Sequence, residues 1–330
     1  IIGDERGAGK DRNEAKNFMR QNIKNMLNQE QFKKQIEENE IIFIVSSTGG
    51  GTGSGMAPVM TEILSKMYPD KRFIIIQIFP PISESVAAQQ NTIDYLKEIR
   101  QFIPNAVYMS YDNHRRANKP TDEMMIEVNR EIVEDICIIR GDYNYPTPYS
   151  SIDEKDMMKM LETPGRLAIA RVYGLKEKDL DEKSIEDHLL INLKTVSVAA
   201  ELERDRIVKR MGVITNLGEK LHKVFDTKLT VFKEFVGEPV EGFEHIHINK
   251  EDTDPNRVIV ILAGLSIPDD RIQKMIQRID EVKEALNRTK PSSILDSVQT
   301  EDIDALREIE SRENVAKDID LNDIFNKYKK

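Results

Sequence analysis

The chain has 330 residues and a formal net charge of −10. That length accommodates two domains with ordinary cores, and the acidic balance argues against broad, sequence-independent contact with nucleic acid. A single cysteine, Cys137, excludes an internal disulfide, and no apolar run approaches the ~20 residues of a membrane helix. A cytoplasmic protein with no direct nucleic-acid or membrane contact is expected.

The first strong signal is the apolar run at 41–45 (Ile41, Ile42, Phe43, Ile44, Val45), which reads as a buried strand. Met56 to Met67 carries apolar residues at helical spacing: Val59, Met60, Ile63, Leu64 and Met67. Between them lies Ser47-Thr48-Gly49-Gly50-Gly51-Thr52-Gly53-Ser54-Gly55. Five glycines between a strand and a helix let the backbone curl so that successive N–H groups face one concavity, and the helix start adds unpaired amides. This predicts a phosphate cradle. The alternative is a flexible Gly/Ser connector, but linkers seldom separate a core strand from a core helix.

Two common glycine motifs do not fit. No lysine follows these glycines as a P-loop requires, and Ser54 stands where the dinucleotide fingerprint needs its third glycine.

Further strands are predicted at 73–79 and 106–111, with helices between, so the first half reads as a parallel sheet covered on both faces. A helix is predicted over 121–140, capped by Thr121, with Met125, Val128, Ile132, Ile136 and Ile139 forming its buried stripe. Cys137, in the setting Val133-Glu134-Asp135-Ile136-Cys137-Ile138-Ile139, reads as a core thiol. The run 141–148 is turn-rich. A second α/β unit follows, with strands at 167–173, 211–215, 245–249 and 258–262 and helices at 185–203 and 269–286. After Pro291 the chain turns polar; 319–325 suits a short amphipathic helix that packs on a partner, or equally a solvated tail.

The string GGGTGSG at 49–55 resembles the signature loop of the tubulin/FtsZ superfamily of GTPases, and other segments agree with it in order. Gly7-Ala8-Gly9-Lys10 resembles the family's short loop near the γ-phosphate. Phe79-Pro80-Pro81-Ile82-Ser83-Glu84 looks like the sugar-contacting loop, with Glu84 matching the ribose acid. Asn113, after Ser110-Tyr111-Asp112, matches a guanine contact, and Asn129 matches a second base contact. Read without the resemblance, Asn129 is a polar residue on the wet face of a helix. Ser151-Ile152-Asp153-Glu154-Lys155-Asp156 resembles the acidic loop that enters the next subunit's site.

Within the superfamily the likeness is to the TubZ branch, supported by Leu161-Glu162-Thr163-Pro164-Gly165 and Ala263-Gly264-Leu265-Ser266-Ile267-Pro268. Ala88 and Ser151 stand where the cell-division branch usually has Arg and Asn. The chain opens with Ile1-Ile2-Gly3, in the middle of the family pattern. The strand and glycine loop that hold the α- and β-phosphates in the family are not found in it, which implies an N-terminally incomplete piece.

The resemblance implies an α/β fold: a Rossmann-like parallel-sheet GTP-binding domain over 1–120, a central helix at 121–140, a second (activation) domain over 141–290 and a C-terminal helix or tail over 291–330. It implies GTP or GDP held by Gly7, Ala8, Gly9, Gly49, Gly50, Gly51, Thr52, Gly53, Ser54, Gly55, Glu84, Asn113 and Asn129, with Mg²⁺ riding on the phosphates rather than in a protein cage. Asp153 and Asp156, three apart on one helical face, would polarise the attacking water in the next subunit's site. By position alone the pair reads as a dipole-favouring acidic cluster at a helix start. A divided site makes hydrolysis depend on head-to-tail assembly into filaments. The implied role is partition of plasmid or phage DNA through a DNA-binding adaptor engaged by the C-terminal region. The alternatives are a division GTPase, a nucleotide-locked filament without turnover and, most distantly, a metabolic nucleotide-binding enzyme.

Overall fold

The computed structural model describes residues 8–142, 146–176, 208–224, 240–249 and 256–288. Gly7, the helix expected at 185–203 and the tail from 291 lie outside the described residues. The chain divides into two units, Ile1–Glu281 and Val282–Lys330. Of the second, only the last turns of the final helix are described.

Helices α1 (Arg12–Leu27) and α2 (Glu30–Glu38) precede β1 (Ile41–Ser47). Then follow α3 (Gly51–Met67), β2 (Arg72–Phe79), α4 (Val86–Phe102), β3 (Val107–Asp112), a 3₁₀ turn (Asn113–Arg116) and α5 (Thr121–Ile139). The rest comprises α6 (Glu154–Leu161), β4 (Gly165–Tyr173), β5 (Arg210–Gly218), α7 (Glu219–Val224), β6 (Glu241–Asn249), β7 (Arg257–Leu265) and α8 (Asp269–Arg288).

The seven described strands join one sheet in the order β1-β2-β3-β4-β7-β5-β6. Strands β1 to β4 run parallel, and β5 is parallel to β6. Strand β7 enters antiparallel to both β4 and β5, so the second half is mixed rather than purely parallel. The parallel run puts the carboxyl ends of β1, β2 and β3 on one edge, and Ser47, Phe79 and Asp112 open the loops there.

Alternation divides the sheet's side chains between two faces. Ile74, Ile76, Met109, Tyr111, Leu167, Ile169, Ile259 and Ile261 pack in one cluster with Val128 and Ile132 of α5 and Met157 and Met160 of α6. Val59 and Ile63 of α3 and Leu96 and Ile99 of α4 are buried too, and α3 packs on β1 and β2.

Four local expectations are corrected. Strand β1 pairs only with β2 among the described strands, so it is an edge, and Val45 is 53 % exposed rather than buried. Pro120, not Thr121, caps α5, so Thr121 is its first helical residue. On α5 the buried stripe runs through Met124, Val128, Ile132, Asp135 and Ile138, while Met125 is 49 % exposed and Ile136 only partly buried. Met124 and Met125 are equal in apolarity, so only the helix's rotation on the sheet chooses between them. Cys137 is half-buried rather than in the core.

Candidate functional site

Helices α1, α4 and α6 are capped by Asp11, Ser85 and Asp153, whose side chains accept backbone N–H groups. Helix α3, like α2 and α5, has no side-chain cap, and its N-cap is Gly50 in an extended conformation (φ −81°, ψ 158°). The amides of Gly51, Thr52 and Gly53 therefore face outward without intrahelical partners. The glycine run is thus less of a loop than expected, because helix begins at Gly51. The Ser54 N–H bonds the Gly50 carbonyl at 3.3 Å, and Gly55 sits deeper in the same helix. Of the nine-residue run, Ser54 and Gly55 offer no free amide to a ligand. Thr52 is exposed.

Close packing on the Cα side explains why Gly51, Gly53 and Gly55 are glycine. A Cβ on Gly51 would stand 2.7 Å from the Lys10 carbonyl carbon, and one on Gly55 2.5 Å from the Arg12 carbonyl oxygen. A Cβ on Gly53 would meet the Ser47 carbonyl oxygen at 2.5 Å, whereas Gly50 faces open space.

The loop at Ala8–Lys10 closes over this helix start. Gly9 and Lys10 both adopt left-handed backbone conformations (φ 50° and 70°), and the Asp11 N–H bonds the Ala8 carbonyl at 2.6 Å. Asn91 of α4 joins the two loops by donating to the Lys10 carbonyl at 3.1 Å and the Gly49 carbonyl at 3.2 Å. Lys10 Nζ donates to Glu84 Oε1 and Ser85 Oγ, both at 2.8 Å. The structure therefore brings Ala8, Gly9, Gly49–Thr52 and Glu84 to one corner of the sheet.

A buried arginine holds that corner. Pro58 lies inside α3 and has no N–H, so the Ser54 carbonyl four residues earlier loses its helical donor. Arg12 Nη2 donates to that carbonyl at 3.0 Å, Nε donates to Ser54 Oγ at 3.2 Å, and the guanidinium also pairs with Glu98 of α4 at 2.7 Å. Sequence reading missed Arg12, yet the Pro58/Ser54 spacing carried a signal that a donor was needed.

At the end of β3, Asp112 accepts Arg271 Nε at 2.7 Å, and Arg271 Nη2 donates to the Pro80 carbonyl at 2.5 Å. Arg271, on α8, thereby ties the sugar-loop segment to the turn bearing Asn113. Nothing local in the sequence marks it, because its partners lie 159 and 191 residues away. The Asn113 Oδ1 is buried without a hydrogen-bond partner. Beside it, His114 is pushed below the ordinary imidazole range by burial, with Asp112 opposing. Asn129 lies on the exposed side of α5.

Beneath this turn, Tyr111 donates to Asp135 Oδ2 at 2.6 Å, and Arg171 of β4 bonds Asp135 Oδ1. Burial pushes the Asp135 carboxyl up to about 7, against the pull of Arg171. This network fixes α5 to β3 and β4.

Asp153 and Asp156 come together, but not as two residues on one helical face. Asp153 is the N-cap of α6, and its Oδ1 accepts the Asp156 N–H at 2.9 Å. Asp156 projects from the first turn, with Lys159 Nζ 3.9 Å away. Arg210, which opens β5, donates to the Lys159 carbonyl at 3.1 Å, and Arg72, which opens β2, pairs with Glu162 at 2.6 Å. Helix α6 therefore crosses the amino-terminal ends of the strands, and the glycine corner lies off the carboxyl end of β1. Strands β1 and β5 stand five steps apart in the sheet, roughly 24 Å at the usual spacing.

Among the described residues, no cluster of three or more His, Cys, Asp or Glu side chains can hold a metal ion. No described helix is long and apolar enough to cross a membrane.

Comparison with known proteins bears on the fold and the family. Residues 5–117 match the family model described as "Tubulin/FtsZ family, GTPase domain". The tubulin-like protein TubZ of Clostridium botulinum C phage is 25 % identical over 337 aligned residues, covering 98 % of this chain and 84 % of its own. The crystal structure of Clostridium botulinum phage c-st TubZ superposes with a TM-score of 0.65 at 20 % identity, covering 84 % of this chain and 82 % of that one. The GTPγS-form protofilament of TubZ from Bacillus thuringiensis serovar israelensis gives 0.63 at 18 % identity, covering 85 % and 77 %.

Proposed function

We propose, from the premise that residues 5–117 are a GTPase domain of the tubulin/FtsZ family, that this chain binds GTP and hydrolyses it only after head-to-tail assembly with a second copy. The observation that carries the reading is the separation of the acid turn at Asp153–Asp156 from the glycine corner, on opposite edges of one sheet. One copy cannot bring them together. A second copy stacked edge to edge can, and because such a contact joins unlike surfaces it propagates as a filament. The TubZ protofilament that this fold resembles supports the arrangement.

In this reading the amides of Gly50, Gly51, Thr52 and Gly53, with the Thr52 hydroxyl, hold phosphate oxygens at the positive end of α3. Released from Lys10, Glu84 accepts from the sugar. The orphaned Asn113 Oδ1 accepts an N–H of the base. Mg²⁺, when bound beside phosphates held at Gly50–Gly53, would offset their negative charge. From the next copy, Asp156 orients the attacking water. Asp153 spends one oxygen capping α6, so it serves chiefly to aim the Asp156 turn. GTP then favours assembly, and loss of the γ-phosphate weakens the joint. In the cell the filament partitions plasmid or phage DNA through a DNA-binding adaptor engaged by the C-terminal region, in keeping with a net charge of −10 that disfavours direct DNA contact.

Light scattering and phosphate release, run together with GTP and with ATP, test this. Asp156→Ala is expected to assemble with GTP and to hydrolyse it at least about 100-fold more slowly, the usual scale for loss of a positioned base. Parent-like turnover in Asp156→Ala removes the assignment, and assembly indifferent to GTP removes the function.

A further inference from the structure

A cleft of about 740 Å³ opens between α4 and the paired ends of β4 and β7. It lies at the amino-terminal edge of the sheet, away from the glycine corner. One wall is apolar: Leu96, Ile99 and Ile103 from α4 and its end, facing Leu265 and Ile267.

The floor is shaped by backbone. Gly165 and Gly264 both have left-handed φ values (123° and 80°), and the β4–β7 register shifts between Arg166 and Ala168. A Cβ on Gly165 would stand 2.8 Å from the Leu265 carbonyl oxygen, and one on Gly264 2.7 Å from the Lys209 side chain. Larger residues would fill the floor, and a local bulge of this kind often marks a site.

The polar groups in the cleft combine one orphaned acceptor with several donors. Gln77 is 1 % exposed; its Nε2 donates to Ser110 Oγ at 2.7 Å, and its Oε1 is buried with no partner. Burial pushes the Tyr108 hydroxyl up to about 12, so it stays a neutral donor. Arg100 and Lys209 supply two cations, and none of the described lining residues is acidic. The volume and the mix of apolar wall with few convergent polar groups suit a small organic molecule.

We propose that this cleft is a second ligand site that takes an amphipathic organic anion. Its apolar body lies on Leu96, Ile99 and Ile267, its anionic group meets Arg100 and Lys209, and a hydrogen-bond donor satisfies Gln77 Oε1.

Fluorescence titration with 8-anilinonaphthalene-1-sulfonate tests the proposal on the full chain. Parent protein, Arg100→Ala and Ser266→Phe are compared, with circular dichroism and melting curves to certify folding. A single saturable site is expected, weakened about tenfold by either variant, the effect of about 1.4 kcal/mol, and unmoved by GDP, which does not favour assembly. Unchanged affinity in both folded variants overturns the proposal, as does displacement of the dye by GDP, which would put it in the glycine corner. The two substitutions act differently, one removing charge and one filling space, so either alone decides the matter if the other fails to fold.

Discussion

Gly53→Ala isolates the packing that shapes the glycine corner. The new Cβ would lie 2.5 Å from the Ser47 carbonyl oxygen, where an ordinary carbon–oxygen contact is about 3.3 Å or more. Ser47 closes β1 and is paired with Ile78, so the obstacle is ladder backbone that cannot swing aside as a side chain would. Alanine gains about 1 kcal/mol of helix propensity over glycine, and overpacking against a fixed neighbour costs roughly 1–3 kcal/mol, rising when backbone must move. Because fixed backbone puts the clash toward the upper end, the net loss is up to about 2 kcal/mol. At roughly 2–4 °C per kcal/mol for a chain of this size, the melting temperature falls by up to about 8 °C. Gly50→Ala is the control. Nothing lies within 4 Å of its Cβ position and its φ of −81° suits alanine, so it costs under about 1 kcal/mol. Melting curves of the two variants, with and without GTP, read both effects, and the GTP-induced rise is expected to shrink in Gly53→Ala because the first turn of α3 is tilted. A Gly53→Ala protein that melts at or above the parent, or a Gly50→Ala protein that loses as much, refutes the reasoning.

Arg12→Ala strands the Ser54 carbonyl that Pro58 leaves without a helical donor, at an expected cost of about 2–3 kcal/mol in urea unfolding. Pro58→Ala restores that donor, so the same change costs about 1 kcal/mol less in its background; equal costs in both backgrounds sink the account. The Asp135 carboxyl stands at about 7 when folded and near its ordinary value when unfolded, so between about pH 4 and 7 the folded chain holds the extra proton. Its contribution is full below that window and is lost as pH rises through it, at about 1.4 kcal/mol per pH unit. The stability difference between parent and Asp135→Asn should therefore shift against the parent from pH 5 to pH 7, and a constant or opposite difference rules this out.

Strand order was legible in the sequence because apolar periodicity is local: every described strand overlaps the segment read for it, whereas helices α1 and α2 were not read. The strand–glycine–helix context of Gly49–Gly55 was legible for the same reason, since glycine acts on its own backbone. Tertiary packing decided the rest. It set helix to begin at Gly51, chose Met124 over Met125 for the core, and drew Lys10 onto Glu84. It placed Arg271 between Asp112 and Pro80, a contact that no local pattern encodes because its energy comes from residues far apart in the chain. It also set the acid turn and the glycine corner on opposite edges of the sheet, since parallel strands separate whatever precedes them from whatever follows. The residue types at the site were thus written locally, while their mutual distance, on which the proposed chemistry depends, came only from how the sheet is ordered.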